Sequence, residues 1–326
     1  MTRIFAFLFV LMFPVGVFAQ SCGTDDLIAD LDAEDRARLD ALVAPHPYPT
    51  GNLWTATKGD STVTVVGTIH IPDPRLSAIV ERVRPALESA DLLIMEASAE
   101  DEKGLHTLVA EKPGMFFITE GPTMIDLLGE SDWASVADRL SARGIPAFFA
   151  AKFQPWYLSM TLAIPPCAMK AMQSGRKGLD RQLEVIAVAQ GTRVATLDDT
   201  EEVLGFFADE PLEKQLEGLR AGLKAQTYDE AATSTLIESY FDERVRESWE
   251  FGRILIEDAG IENGAELFEE LNQTLLVGRN RDWEPKIARL VAGKDVVLAV
   301  GAAHLSGESG VLRALERAGF DVRRLR

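Results

Sequence analysis

Two short apolar runs, near opposite ends of the chain, each end in a glycine that is followed three residues later by a histidine. One lies within Asp295–His304 and the other within Val63–His70. A short, continuous run rich in β-branched residues is typical of a strand that is buried on both faces. The pattern therefore predicts two interior strands of a sheet, each with a histidine just beyond its carboxyl end.

The segments between these units predict how the sheet is built. Apolar periodicity indicates a helix over 76–89, and the short apolar run of Asp91–Met95 predicts a further buried strand. Strand, helix and strand in succession favour parallel pairing. A strongly apolar helix is predicted from Ala147 to Ala163, and an acidic helical subdomain at about 201–276. We therefore predict an α/β fold with a central, mainly parallel sheet, flanking helices and a helical insertion.

The first residues have the pattern of an export signal. Arg3 precedes an apolar stretch at 4–13, and Val17–Ala19 fits a small-residue cleavage site. The stretch is shorter than the roughly 20 residues of a spanning helix. We predict a signal peptide at 1–19 and a single domain at 20–326 that is periplasmic or secreted. An uncleaved anchor and a lipoprotein modified at Cys22 are the alternatives.

Composition and net charge limit the classes of partner that the protein is expected to bind. The 326 residues are 47% hydrophobic and 26% charged, which is ordinary for a globular protein, and the net charge is −18. This charge argues against a nucleic-acid partner. No later run is long enough to span a membrane. In an oxidising compartment Cys22 and Cys167 would form a disulfide; otherwise they are two free thiols.

Three side chains at predicted strand ends are able to bind a metal. His70, His304 and Glu96 each follow a strand, and open α/β sheets place ligands at the carboxyl ends of their strands. Two imidazoles and a carboxylate are a common catalytic metal set. Alternatively, the histidines are structural and Glu96 caps a helix. The motifs of zincins and of nucleophile elbows do not occur in the chain.

The chain resembles the TraB/GumN family, which also includes the Tiki metalloproteases. The matching segments are Gly67–His70, Glu96, Phe153–Trp156, Gly178–Asp180, Leu197–Glu202, Arg279-Asn280, and Val300–Leu305 with the helix at 310–320. One departure is that the family often has Leu-Glu-Thr where this chain has Leu197–Asp199. No role is therefore assigned to Asp198.

The resemblance implies a fold similar to the erythromycin-esterase/ChaN-like group and a divalent-metal hydrolase site. The metal would be Mn or Co, as described for the Tiki branch, or Zn. His70, His304 and Glu96 would form the metal site, with Glu96 as a ligand or as the general base. The remaining site positions implied by the resemblance are Asp180, Arg279 and Asn280. A cation such as Arg279 is suited to stabilising a developing oxyanion.

We therefore expect a metal-dependent hydrolase, most simply a metalloprotease acting on peptides through a metal-activated water. One alternative is a non-catalytic protein of the same fold that binds a metal, haem or a peptide. Another is a hydrolase of small esters or lactones. Metal analysis, an absorbance scan for haem, and a peptide library with and without manganese distinguish these possibilities.

Overall fold

A six-stranded sheet forms the centre of the protein. The computed structural model describes residues 22–227 and 229–325, and the predicted signal peptide lies outside these described residues. The strands are β1 (Leu53–Lys58), β2 (Ser61–Thr68), β3 (Leu92–Met95), β4 (Arg193–Thr196), β5 (Asp295–Gly301) and β6 (Asp321–Arg324). They are arranged in the order β4-β3-β5-β2-β1-β6.

The pairing of these strands brings four carboxyl ends to one edge of the sheet. β4, β3, β5 and β2 run parallel to one another, whereas β1 is antiparallel to both β2 and β6. In this register Thr68 lies beside Gly301, and Met95 lies beside Ala299. The residues that follow β2, β3 and β5 therefore emerge together. The predicted α/β fold with a mainly parallel sheet is confirmed.

Helices cover both faces of the sheet and form the layer beyond its carboxyl edge. They are α1 (Ala33–Val43), α2 (Leu76–Ser89), α3 (Ala99–Glu111), α4 (Pro113–Phe116), α5 (Met124–Leu128), α6 (Glu130–Ala142), α7 (Ala147–Ala150), α8 (Pro155–Ala163), α9 (Pro166–Gln173), α10 (Leu179–Gln190), α11 (Thr200–Ala208), α12 (Leu212–Lys224), α13 (Glu230–Phe241), α14 (Val245–Asp258), α15 (Gly264–Asn272), α16 (Arg279–Val291) and α17 (Val311–Arg317). A π-helical segment, Gln273–Gly278, joins α15 to α16. None of the described helices is both long and apolar enough to cross a membrane.

The apolar run of β5 is buried because helices pack on both of its faces. Val297 and Ala299 join a core that includes residues of α2, α10 and α13. Val296, Leu298 and Val300 alternate with them and join a second core with α16 and α17. A strand with two buried faces needs apolar residues at every position, since successive side chains point to opposite faces.

The two cysteines form a disulfide, so the alternative of free thiols is wrong. Cys22 and Cys167 are joined with their Cα atoms 5.3 Å apart. The bond links the segment before α1 to α9. Both residues lie against the core between the sheet and α10. The disulfide therefore holds the start of the described chain beside the helices that support the carboxyl edge of β2.

The single apolar helix predicted over Ala147–Ala163 is wrong. The chain forms α7 and α8, and between them lie a turn at 151–152 and an isolated β-bridge in which Phe153 pairs with Phe117. Pro155 then starts α8, because its missing N–H costs nothing in the first turn of a helix. A distant strand-like contact therefore interrupts a pattern that is locally helical.

Candidate functional site

Two glycines allow the strand ends to pack closely at the carboxyl edge. A Cβ atom at Gly67 would lie 3.0 Å from the Cβ of Ala302 and 2.9 Å from Cδ1 of Leu305. A Cβ atom at Gly301 would lie 3.0 Å from Oε1 of Glu96. Neither glycine has the positive φ that would require this residue type. The glycine of each Gly-x-x-His unit is therefore explained by close packing and not by a left-handed turn.

A buried network of charges joins the ends of β3, β4 and β5. The NH2 group of Arg279 donates to Glu96 Oε2 and to Asp198 Oδ2, both at 2.5 Å. The backbone N–H of Gly301 donates to Glu96 Oε1 at 2.6 Å, and the indole N–H of Trp283 donates to Asp198 Oδ1 at 2.6 Å. Charge-assisted hydrogen bonds of this kind are stronger than those between neutral groups. Arg279 is therefore held rigidly between two carboxylates.

This network keeps Glu96 ionised. Burial by itself raises the pKa of Glu96, but nearby His304 and the guanidinium of Arg279 act in the opposite direction. His70 and the Gly301 N–H add to this effect, so the pKa of Glu96 falls to about 2. Burial likewise opposes the charge on Arg279, but the two carboxylates keep the pKa of Arg279 above its ordinary value. At neutral pH the network is therefore an ionic cluster.

His304 is buried and held on three sides by residues of α16. Its Nδ1 lies 2.8 Å from Oδ1 of Asn280, and its Nε2 lies 3.2 Å from the NH1 group of Arg279. The ring packs against the indole of Trp283, with 4.4 Å between centroids. The amide of Asn280 also donates to the carbonyl of His304 at 3.3 Å. This orientation assigns the ring proton to Nδ1, and Nε2 then accepts from Arg279.

The environment of His304 favours its neutral form. Burial is the largest cause and lowers the pKa of His304 to about 4. Glu96 acts in the opposite direction, whereas Arg279 adds to the lowering. At neutral pH His304 is therefore an uncharged acceptor whose lone pair is already engaged by a guanidinium.

His70 is the accessible histidine of the site. Its Nδ1 lies 3.2 Å from Oδ1 of Asp180, and its side chain is 68% exposed while that of Asp180 is 11% exposed. Contact of the ring with the Asp180 carboxylate is the largest cause of a raised pKa of His70, which reaches about 9 despite partial desolvation of the ring. The charges of Asp180 and Glu96 contribute in the same direction. At neutral pH His70 is therefore mainly protonated.

Gly178 brings Asp180 into reach of His70. The N–H of Leu179 donates to the carbonyl of Ile69 at 2.9 Å, which docks the start of α10 against the end of β2. A Cβ atom at Gly178 would lie only 2.5 Å from the carbonyl oxygen of His70. The Gly-Leu-Asp sequence therefore has a structural reason: its glycine permits backbone contact and its aspartate holds the imidazole.

Replacing Gly178 with alanine is expected to destabilise the protein by about 1–3 kcal/mol, the usual cost of an overpacked site. The added methyl group must push α10 away from the His70 backbone, because the atoms that it meets are main-chain atoms. Urea denaturation measures the change. Gly104→Ala in α3, where a Cβ atom meets nothing within 4 Å, is the control and should not destabilise. Equal stability of the Gly178 variant and the wild type would contradict this explanation.

The predicted site residues form two connected groups. Glu96, Arg279, Asn280 and His304 are in contact through the network around Arg279, and Glu96 Oε1 lies 3.9 Å from His304 Nε2. His70 and Asp180 form a separate pair that interacts electrostatically with Glu96. All six side chains therefore lie at one edge of the sheet.

As arranged, the predicted ligands His70, Glu96 and His304 do not fit a divalent metal. Within residues 22–227 and 229–325, no group of three His, Cys, Asp or Glu side chains is spaced to hold one. The lone pair of His304 Nε2 and one oxygen of Glu96 are directed at Arg279. Metal ligands need such lone pairs free. The metal of the sequence analysis stays a prediction, and binding it would require Arg279 to move.

Two members of the network were missed by sequence reasoning. Asp198 accepts from both Arg279 and Trp283, and Trp283 also packs on the ring of His304. Trp283 lies four residues after Arg279 on α16, a spacing that puts two side chains on one helix face. That spacing was the available signal. For Asp198, the signal was its position two residues after the short strand β4.

A model described as the TraB/PrgY/gumN family matches residues 52–324. The matched span begins just before β1 and ends with β6, so it contains the whole sheet and every residue of the site. No curated protein matches the chain.

Proposed function

The chain belongs to the TraB/PrgY/gumN family, and from this premise we propose that it is a hydrolase of peptide bonds. The observation that carries the proposal is the exposed imidazole of His70, which a buried carboxylate holds beside an ionic cluster. An imidazole oriented by a carboxylate is a common arrangement for moving a proton during hydrolysis.

In this proposal His70 transfers the proton and Asp180 supports it. The neutral imidazole, which is the minor form of His70 at neutral pH, takes a proton from the attacking water through Nε2, while Nδ1–H faces Asp180. The imidazolium that forms is stabilised by the adjacent carboxylate and then returns the proton to the leaving group. Arg279 has a positioning role, because its NH1 and NH2 groups are engaged by His304, Glu96 and Asp198. Its predicted contact with an oxyanion would require these bonds to rearrange.

A metal-dependent hydrolase is the second candidate. Its support is the convergence of both Gly-x-x-His histidines on Glu96, since His70 and His304 both lower the pKa of that carboxylate. If Arg279 moved away from Glu96 and His304, these two residues and His70 would be the ligands of Mn, Co or Zn, and the metal would supply an activated water. The pairing of His70 with Asp180 resembles the carboxylate contact that orients metal-bound histidines.

We further propose that the protein works in an oxidising compartment, either the periplasm or outside the cell. The Cys22–Cys167 disulfide supports this, because structural disulfides persist mainly in exported proteins. The protein is expressed once in a reducing cytosol and once in an oxidising compartment, and its free thiols are counted. This comparison tests whether the bond forms in cells.

The decisive experiment is cleavage of an unbiased peptide library, read by mass spectrometry. The protein is treated with EDTA and assayed alone and with Mn²⁺, Co²⁺ or Zn²⁺. Cleavage in EDTA that is lost in His70→Gln supports the proposal. Cleavage that needs added metal, with stoichiometric metal content, supports the second candidate. A panel of chromogenic esters and lactones is tested in parallel. Cleavage of these compounds, but of no peptide, would show that the substrates are small esters or lactones and not peptides.

Absence of turnover under all these conditions would overturn both candidates. It would favour the non-catalytic alternative, in which the site binds a metal, haem or peptide. Metal analysis, an absorbance scan and peptide binding by calorimetry then identify the ligand, since each reports binding without cleavage.

Replacing Asp180 with asparagine is expected to lower the pKa of His70 from about 9 toward its ordinary value of 6.5. The carboxylate favours the imidazolium, so its removal favours the neutral ring. If hydrolysis needs neutral His70, kcat/KM of the wild type increases up to a pH of about 9, whereas kcat/KM of the variant levels off near pH 6.5. NMR titration of EDTA-treated protein measures the shift independently of activity. His106, exposed on α3, is the internal control.

An unchanged His70 titration in Asp180→Asn would show that the carboxylate does not control this imidazole. An unchanged pH profile, with a shifted titration, would show that another group limits the rate. The two readouts therefore separate the electrostatic claim from the catalytic one.

A further inference from the structure

A pocket of ≈ 570 Å³ lies beside the site and is lined by none of His70, Glu96 or Asp180. Asn280 forms part of its wall, and the same side chain bonds the ring of His304. The other walls come from the π-helical segment, from α14, α16 and α17, and from the loop after His304. Its volume is within the range of small-ligand pockets. It is a separate compartment that shares one residue with the candidate site.

Most charged groups of this pocket are already paired within the protein. Arg246 is buried and donates to Ser306 Oγ at 2.7 Å and to Glu250 at 3.2 Å. Arg317 donates to Glu284 at 2.8 Å. Glu308, at the exposed rim, lies 3.4 Å from Arg313. These pairs neutralise one another and shape the wall.

Arg281 is the exception among the lining cations. It is exposed on the first turn of α16 and makes no ion pair with any residue in the part of the chain that the structure describes. A guanidinium offers a planar fork of donors that matches a carboxylate in a bidentate geometry. The net charge of the chain is −18, so most of its surface repels anions. An arginine without an ion-pair partner at a pocket is therefore a local position where an anion is able to bind.

Part of the remaining lining is apolar, and it lies beside the polar side chains of His46, Asn272, Ser306 and Ser309. Pro45, Leu276 and Val277 contribute to the same pocket as Arg281. Leu276 and Val277 belong to the π-helical segment, and π-helical turns often occur at functional sites. A ligand that contacts both Arg281 and these apolar side chains carries one negative group and a short hydrocarbon chain.

We propose that this pocket binds a small organic monocarboxylate, with its carboxylate on Arg281 and its apolar body against Leu276 and Val277. The proposal is independent of hydrolysis, since it uses no group that transfers a proton. It adds a second ligand site to the protein, next to the residue that orients His304.

Hexanoate is the probe, and isothermal titration calorimetry with the wild-type protein measures its binding. We expect hexanoate to bind at least ten times more tightly than hexanamide, which lacks the negative charge. We expect the same margin over acetate, which lacks the hydrocarbon chain. Arg281→Gln should weaken hexanoate binding at least tenfold. Arg289→Gln, an exposed arginine of the same helix that does not line the pocket, should leave it unchanged.

His70→Gln distinguishes this pocket from the candidate active site and should bind hexanoate as the wild type does. Lack of hexanoate binding would overturn the proposal. Equal affinity for hexanamide, or an unchanged affinity in Arg281→Gln, would overturn it as well. A loss of binding in His70→Gln would place the carboxylate in the catalytic site instead.

Discussion

Replacing His70 with glutamine is expected to lower kcat of the proposed hydrolase by about 10²–10⁴-fold, the usual contribution of a proton-transferring side chain. Glutamine keeps a hydrogen-bond donor for Asp180 but cannot accept and return a proton. The side chain of His70 is 68% exposed, so its replacement removes little packing. We expect the free energy of unfolding to change by at most about 1 kcal/mol, as for exposed ion pairs.

The matched control is His106→Gln, because His106 is also exposed but lies within α3 and is not a residue of the candidate site. Initial rates are measured on the peptide that the library identifies, together with thermal melts of both variants. A His70 variant that keeps more than a tenth of the wild-type kcat would rule out proton transfer by this residue. A fall in rate accompanied by a large loss of stability would show that His70 is structural.

The location of the site was predictable because it depends on short-range patterns. Each Gly-x-x-His unit follows a run of buried-strand character, and the carboxyl ends of parallel strands share one edge. His70, Glu96 and His304 were therefore assigned to the same region from the sequence, and the register of β2, β3 and β5 brings their strand ends together. The family-like positions Asp180, Arg279 and Asn280 also lie at this edge.

The chemistry of the two histidines was not predictable from their shared motif. The pKa of His304 falls to about 4 because the ring is buried, whereas that of His70 rises to about 9 because the Asp180 carboxylate contacts an accessible ring. The carboxylate beside His70 belongs to α10, and the residues that surround His304 belong to α16. Neither helix is close in sequence to the Gly67–His70 unit. The motif fixes where each imidazole is placed, and its neighbours fix its charge.

The same distinction explains why the predicted metal set is not assembled as three free ligands. Sequence patterns identify side chains that are able to bind a metal, but they do not show which lone pairs the fold already uses. Arg279 occupies those of Glu96 and His304. The shorter carboxylate of Asp198, a departure from the family pattern, is also bonded to Arg279. A guanidinium is therefore bonded to two of the three predicted metal ligands, Glu96 and His304.

Replacing Arg279 with methionine is expected to destabilise the protein by about 3–5 kcal/mol, the usual cost of removing one partner from a buried ion pair. Methionine keeps much of the stem but leaves Glu96 and Asp198 without their common cation. The side chains of these three residues are only 10–14% exposed, so water compensates little. The contact of Arg279 with the ring of Trp283, 4.8 Å from the centroid, is lost as well. Urea denaturation with linear extrapolation measures the change.

Neutralising the two carboxylates should recover much of this loss. In the triple variant Arg279→Met, Glu96→Gln, Asp198→Asn no charge remains uncompensated, and the cost of the isolated charges disappears. Arg289→Met, at an exposed position of the same helix, is the control and should change stability by no more than about 0.5 kcal/mol. A cost below about 1 kcal/mol for Arg279→Met, or a triple variant less stable than the single one, would mean that Arg279 does not hold the strand ends together. Its place between Glu96 and His304 would then be open to a metal at little energetic cost.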